Sequence, residues 1–107
     1  MPDATPIELS RLRESAGEAR KLLKTLANTD RLILLCQLSQ DEMNVGDLER
    51  ELGIEQPTLS QQLAVLRRED LVATRREGKQ IYYRIKDDRA MAVIETLYEQ
   101  FCASPGS

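Results

Sequence analysis

The chain has 107 residues, 41% of them hydrophobic, and a net charge of −3. That suits one small domain, and no apolar run is long enough to cross a bilayer. It has no histidine and two cysteines, which excludes imidazole acid–base chemistry and imidazole metal ligands and does not match a disulfide-stapled secreted scaffold. The N-terminus lacks a basic segment followed by an apolar one, so no secretory signal is expected and the compartment is read as cytoplasmic. A domain this small buries a limited share of its surface, which makes self-association an expectation.

From about residue 8 to 26, Leu9, Leu12, Ala16, Ala19, Leu22, Leu23 and Leu26 recur at helical spacing and predict an amphipathic helix. Asn28 is placed to cap a second helix running to about Gln40, with Leu32, Leu35, Cys36 and Leu38 inward. Asp41 to Met43 reads as a break. Asn44 opens a short third helix, with Asp47 in a capping-box-like position, Leu48 and Leu52 on its buried edge and Gly53 at its end. Pro57 fits the first turn of a fourth helix, whose buried stripe is Leu59, Leu63 and Leu66. Two short helices joined through Gly53-Ile54-Glu55 make a helix-turn-helix.

The period then changes. Residues 71–76 and 80–85 are β-prone runs around Glu77-Gly78-Lys79 and predict a β-hairpin. Ile81, Tyr83 and Ile85 share one face, Tyr82 and Arg84 the other. Asp87 or Asp88 caps a last helix carrying Met91, Ile94, Leu97, Tyr98, Phe101 and Cys102, and residues 103–107 read as a frayed tail. The fold expected is mainly α with a β-hairpin wing, a single winged helix-turn-helix domain over residues 1–107: four helices, two strands and a closing helix.

A pI near 5.0 argues against nucleic acid as a partner. The average hides a pattern, because residues 38–55 hold six acids and one base while residues 56–86 hold seven bases and three acids. A solvated face is one explanation of that basic stretch, and a local field for phosphates is the other. With the leucine stripe turned inward, Pro57, Thr58, Gln61, Gln62, Val65 and Arg68 face solvent, with Ser60 nearer the edge. Gln can bond adenine bidentately, Ser or Thr can reach bases or phosphate, and free N–H groups at a helix start favour phosphate. Arg75, Arg76, Lys79 and Arg84 follow at once on the hairpin. The candidate DNA contacts are therefore Gln56, Thr58, Ser60, Gln61, Gln62, Arg68, Arg75, Arg76, Lys79 and Tyr82. Tyr82 fits either bare wing surface or a DNA contact, and Tyr83 fits the core.

The run Gln56-Pro57-Thr58-Leu59-Ser60-Gln61-Gln62-Leu63-Ala64-Val65-Leu66-Arg67, followed by Leu71-Val72 and Arg75-Arg76-Glu77-Gly78-Lys79-Gln80-Ile81-Tyr82-Tyr83, resembles the ArsR/SmtB family of homodimeric winged-helix repressors. The resemblance spans nearly the whole chain. It implies binding to double-stranded operator DNA with an inverted repeat, release by an inducer, and a dimer interface built from the first and last helices. Many members carry two His where Gln61 and Gln62 stand, so base preference is expected to differ.

The family's metal sites do not survive. Asn44 and Gly46 stand where thiols of metalloid sensors would sit, and Ala90, Phe101 and Ser104 replace ligands of the zinc site, of which only Asp88 remains. No metal or other cofactor is expected. By residue type alone, Cys36 and Cys102 are either small buried hydrophobes or a reactive pair. One cysteine in the second helix and one at the end of the last is similar to the persulfide-responsive subgroup typified by biofilm growth-associated repressors. That resemblance implies a sensing pair which hydrogen sulfide-derived persulfides or other oxidants join by a disulfide or polysulfide bridge. The bridge then releases the operator of sulfide-detoxification genes. Two alternatives stay open: a thiol-based sensor of arsenite or cuprous ion, and a winged-helix protein-interaction module without DNA binding. No nucleophile–base pair, phosphate loop or metal triad points to an enzyme, and no membrane partner is expected.

Overall fold

Side-chain caps decide where the helices after the first begin. A computed structural model describes residues 8–102, so the expected tail at 103–107 lies outside the described residues. The first helix, α1, spans Leu9–Leu26. Asn28 accepts the N–H of Arg31 at 3.0 Å and starts α2, Thr29–Leu38. Asn44 accepts the N–H of Asp47 at 2.7 Å and starts α3, Val45–Leu52, which ends at Gly53 with φ of 69°. Asp87, rather than Asp88, accepts the N–H of Ala90 at 2.8 Å and starts α5, Asp88–Phe101.

The helix α4, Thr58–Arg68, starts differently from expectation. Pro57 occupies the cap position instead of the first turn, and it has no side-chain oxygen to offer. The Oε1 of Gln56 takes over that task, accepting the N–H of Ser60 at 3.2 Å. At its other end α4 closes through Leu71 N–H donating to the Leu66 carbonyl and Asp70 N–H to that of Arg67, both at 3.0 Å. This reversal needs a left-handed residue, and Asp70 supplies it with φ of 65° while pairing with Lys86 at 2.7 Å.

The sheet has one strand more than expected. Where the sequence predicts a break at Asp41 to Met43, the chain instead runs into a two-residue strand, β1 (Met43–Asn44). It pairs with β3 (Gln80–Ile85), which also pairs with β2 (Val72–Glu77), giving the antiparallel order β1-β3-β2. Met43 lies opposite Tyr83 and Asn44 opposite Tyr82. Two residues carry no readable alternation, so only the open edge of β3 reveals the pairing. The hairpin turns at Gly78, where φ is 63°.

The core collects around α2, which packs against α1, α3, α4, α5 and β3. Leu34 and Leu35 meet Leu48, Leu59, Leu63, Leu66 and Ile94, all essentially without solvent contact. Tyr83 is half-buried against this core, as expected, and so are Cys36 and Val45. The apolar stripe of α1 behaves otherwise: only its last turn, at Thr25 and Leu26, is buried. Leu9, Leu12 and Leu23 stay exposed, and Phe101 at the end of α5 is 81% exposed. No helix among the described residues is long and apolar enough to cross a membrane.

Leu34→Ala should lower the unfolding free energy by about 2–5 kcal/mol, the range for a leucine deletion that leaves a cavity in a packed core. Urea denaturation of the variant beside the parent protein checks this.

Candidate functional site

The outer face of α4 and the β2–β3 hairpin lie next to one another, since α4 packs on β2. Ser60, Gln61, Ala64, Arg67 and Arg68 are exposed along α4, and Arg76, Lys79 and Arg84 are exposed on the hairpin. Arg68 is only loosely held, with Glu69 at 3.8 Å, and Arg76 donates Nε–H to the Gly78 carbonyl at 3.2 Å. Arg67, which the leucine spacing alone does not single out, lines a cleft with Ser60, Ala64, Arg68 and Tyr83. Thr58 is half-buried.

Several of the expected DNA contacts are already engaged within the fold. Gln56 caps α4, as described above. Together with Leu59 N–H donating to the Glu55 carbonyl at 3.0 Å, this leaves fewer free N–H groups at the helix start than a phosphate site would use. Gln62 is half-buried rather than solvent-facing, and its Oε1 accepts a hydrogen bond from Arg31 Nη1 at 2.8 Å.

Arg75 is another. It lies directly across from Tyr82 in the β2–β3 register, and its guanidinium sits 4.5 Å from the ring centroid. Its Nε donates to both carboxylate oxygens of Glu42 at 3.0 and 3.1 Å, its Nη2 also bonds Glu42, and its Nη1 donates to Glu77 at 2.8 Å. The Arg75 hydrogen bond holds the Glu42 carboxyl below its ordinary range, with Arg84 adding a smaller effect. Glu42 and Glu77 in turn hold the guanidinium firmly charged. Glu42 precedes β1, so the unforeseen strand is what brings it to the hairpin. No short-range pattern connects residues 42 and 75.

The packing of α2 on α5 brings the two cysteines near one another. Cys36 is half-buried on α2, and Cys102 caps the C-terminus of α5 with its N–H on the Tyr98 carbonyl at 2.8 Å, its side chain exposed. Because α2 and α5 pack together, the thiols become neighbours. Burial pushes the Cys36 thiol above its usual value, and the adjacent Cys102 thiol pushes in the same direction. Both are free thiols. The hydrophobe explanation fits Cys36, which packs on the core, but not the exposed Cys102. Among the described residues there is no group of three or more Cys, Asp or Glu side chains that could hold a metal ion.

Residues 28–74 match the model of the bacterial regulatory protein ArsR family. The chain is also 54% identical to the biofilm growth-associated repressor of Agrobacterium fabrum, over 94% of this chain and 86% of that one. This chain belongs to the ArsR family. Its winged helix superposes with TM-score 0.84 on the crystal structure of the transcriptional repressor BigR from Xylella fastidiosa, at 47% identity over 90% of this chain and 95% of that one. Reduced HlyU from Vibrio cholerae matches with TM-score 0.84 at 39% identity, over 88% and 99% of the respective chains. For an ArsR family regulator, α3 and α4 are the helix-turn-helix and β2–β3 is the wing.

Glu42→Gln should weaken the hold on Arg75 and make its charge available to a phosphate. Duplex affinity is then expected to rise, and the slope of log affinity against log salt to steepen by about one unit, close to the value per phosphate neutralised. Fluorescence anisotropy across a salt series measures both.

Proposed function

We propose that this chain is an operator-binding repressor whose grip on DNA is switched by a covalent link between Cys36 and Cys102. The observation that carries the proposal is the adjacency of two thiols from distant parts of the sequence, one on the central helix and one at the end of α5. The similarity to proteins named as repressors supports the direction of control. The cytoplasm, where unmodified thiols stay reduced, suits such a sensor.

The exposed Cys102 meets a small persulfide first. Its thiolate attacks the terminal sulfur of R–S–SH, forming Cys102–S–SH and releasing the thiol R–SH. Cys36, once deprotonated, attacks the Cys102 sulfur, expels hydrosulfide and closes a disulfide. Two protein thiols lose two electrons, and the persulfide is reduced to R–SH and hydrogen sulfide. If both cysteines carry a persulfide, attack of one on the other expels hydrogen sulfide and leaves a trisulfide. Either bridge ties α2, which packs against the reading helix α4, to α5.

The dimer belongs to the same proposal. Leu9, Leu12 and Leu23 on α1 and Phe101 on α5 form apolar surface with no use inside one subunit. A second copy covering it would set two α4 helices for successive major grooves, about 34–36 Å apart. A bridge that alters their relative orientation by a small amount then weakens binding to an inverted repeat.

Mass spectrometry after persulfide treatment should find a Cys36–Cys102 cross-linked peptide pair, and the bridged protein should bind an inverted-repeat operator at least about tenfold more weakly, within ordinary coupling energies. Cys36→Ser and Cys102→Ser should bind DNA yet fail to release it. Free thiols after treatment would remove the switch, and release by arsenite or cuprous ion but not by persulfide would favour a thiol-based metal sensor. No duplex binding by the reduced protein would leave an interaction module instead.

Leu12→Glu and Phe101→Glu should sediment as monomers and lose operator affinity while keeping the helical circular dichroism of the parent. Dimers persisting in both variants would remove this interface.

A further inference from the structure

Arg31 is fixed at three points. Its own N–H donates to Asn28 Oδ1 at 3.0 Å, its Nε to the Thr25 carbonyl at 2.6 Å in the last turn of α1, and its Nη1 to Gln62 Oε1 at 2.8 Å on α4. A guanidinium has donors and no acceptor. Only the oxygen of the Gln62 amide can therefore face it, and the amide orientation follows from chemistry rather than from choice. The carbonyl is turned toward α2, and the Nε2 group is left to point away from it.

This changes what Gln62 can read. Bidentate recognition of adenine needs an outward donor and an outward acceptor on one amide. Gln61, exposed and with no side-chain partner among the described residues, keeps both. Gln62 offers N–H donors alone. Those fit guanine best, whose O6 and N7 both accept; adenine sets its N6 donor beside N7, thymine offers O4 alone, and the cytosine amino group is mismatched.

We infer that Arg31 is a specificity-determining residue that acts through Gln62, holding its amide so that α4 presents a donor, and not a donor–acceptor pair, to the base beneath it. The inference rests on α4 being the helix that enters the groove. Arg31 touches no DNA in this scheme. It is a positioning residue, reached only through the packing of α2 against α4.

Selection from a pool of randomised duplexes, followed by sequencing, tests it with the parent chain, Gln62→Ala, Arg31→Met and Arg31→Lys. Gln62→Ala should flatten preference at one position per half-site, and the parent should choose guanine there. Arg31→Met, which frees the amide to turn, should move that same position toward adenine by about tenfold, the scale of one base contact. Arg31→Lys keeps a donor facing Oε1 and should keep the parent's choice. Adenine at that position in the parent overturns the inference, as does an Arg31→Met variant that weakens all sequences equally. So does a Gln62→Ala variant with an unaltered profile. If Arg31→Met does not fold, the parent and Gln62→Ala profiles still decide. Enrichment of no sequence by the parent would instead bring down the DNA-binding reading itself.

Discussion

The burial of α2 is the constraint on which the rest of the molecule depends. Leu34, Leu35 and Leu38 have essentially no solvent contact, and their partners come from α3, α4 and α5. A ten-residue helix has little stability of its own in water, so its packing holds it and it in turn positions its neighbours. The same helix carries Arg31 near its start and Cys36 in its second half. One helix thus contacts α4 through Arg31 and Gln62 and packs on α5, which ends at Cys102.

The surface around that core divides by charge use. Arg68, Arg76, Lys79 and Arg84 are exposed and able to meet phosphates, whereas Arg75 is held by two carboxylates and an aromatic ring. The acidic average of the chain thus does not describe this face. The engaged groups fix the conformation of the hairpin and of the start of α4, and the exposed bases give this face a local positive field.

Capping residues and leucine stripes were legible in sequence because they act over three or four residues. Asn28, Asn44, Asp87 and Gly53 mark real helix ends, and Leu59, Leu63 and Leu66 are buried as their spacing requires. Pro57 sits one position before the first turn that proline usually favours, because the chain there makes its side-chain cap through Gln56. The strand at Met43–Asn44 was invisible because its partner lies far along the chain. The exposed leucines of α1 show the converse: their periodicity is genuine, but one subunit gives it nothing to cover.

The sequence by itself determined the order of helices and hairpin, the winged helix-turn-helix, and the short list of polar and sulfur-bearing residues, since each follows from local spacing and residue chemistry. Only the tertiary structure decided which of those side chains are free. It set Cys102 beside Cys36, closed Glu42 onto Arg75 and turned the Gln62 carbonyl toward Arg31. The physical reason is that these are meetings between elements far apart in the chain. A hydrogen bond or a pairing of thiols between distant elements depends on how helices pack, and no periodicity encodes that.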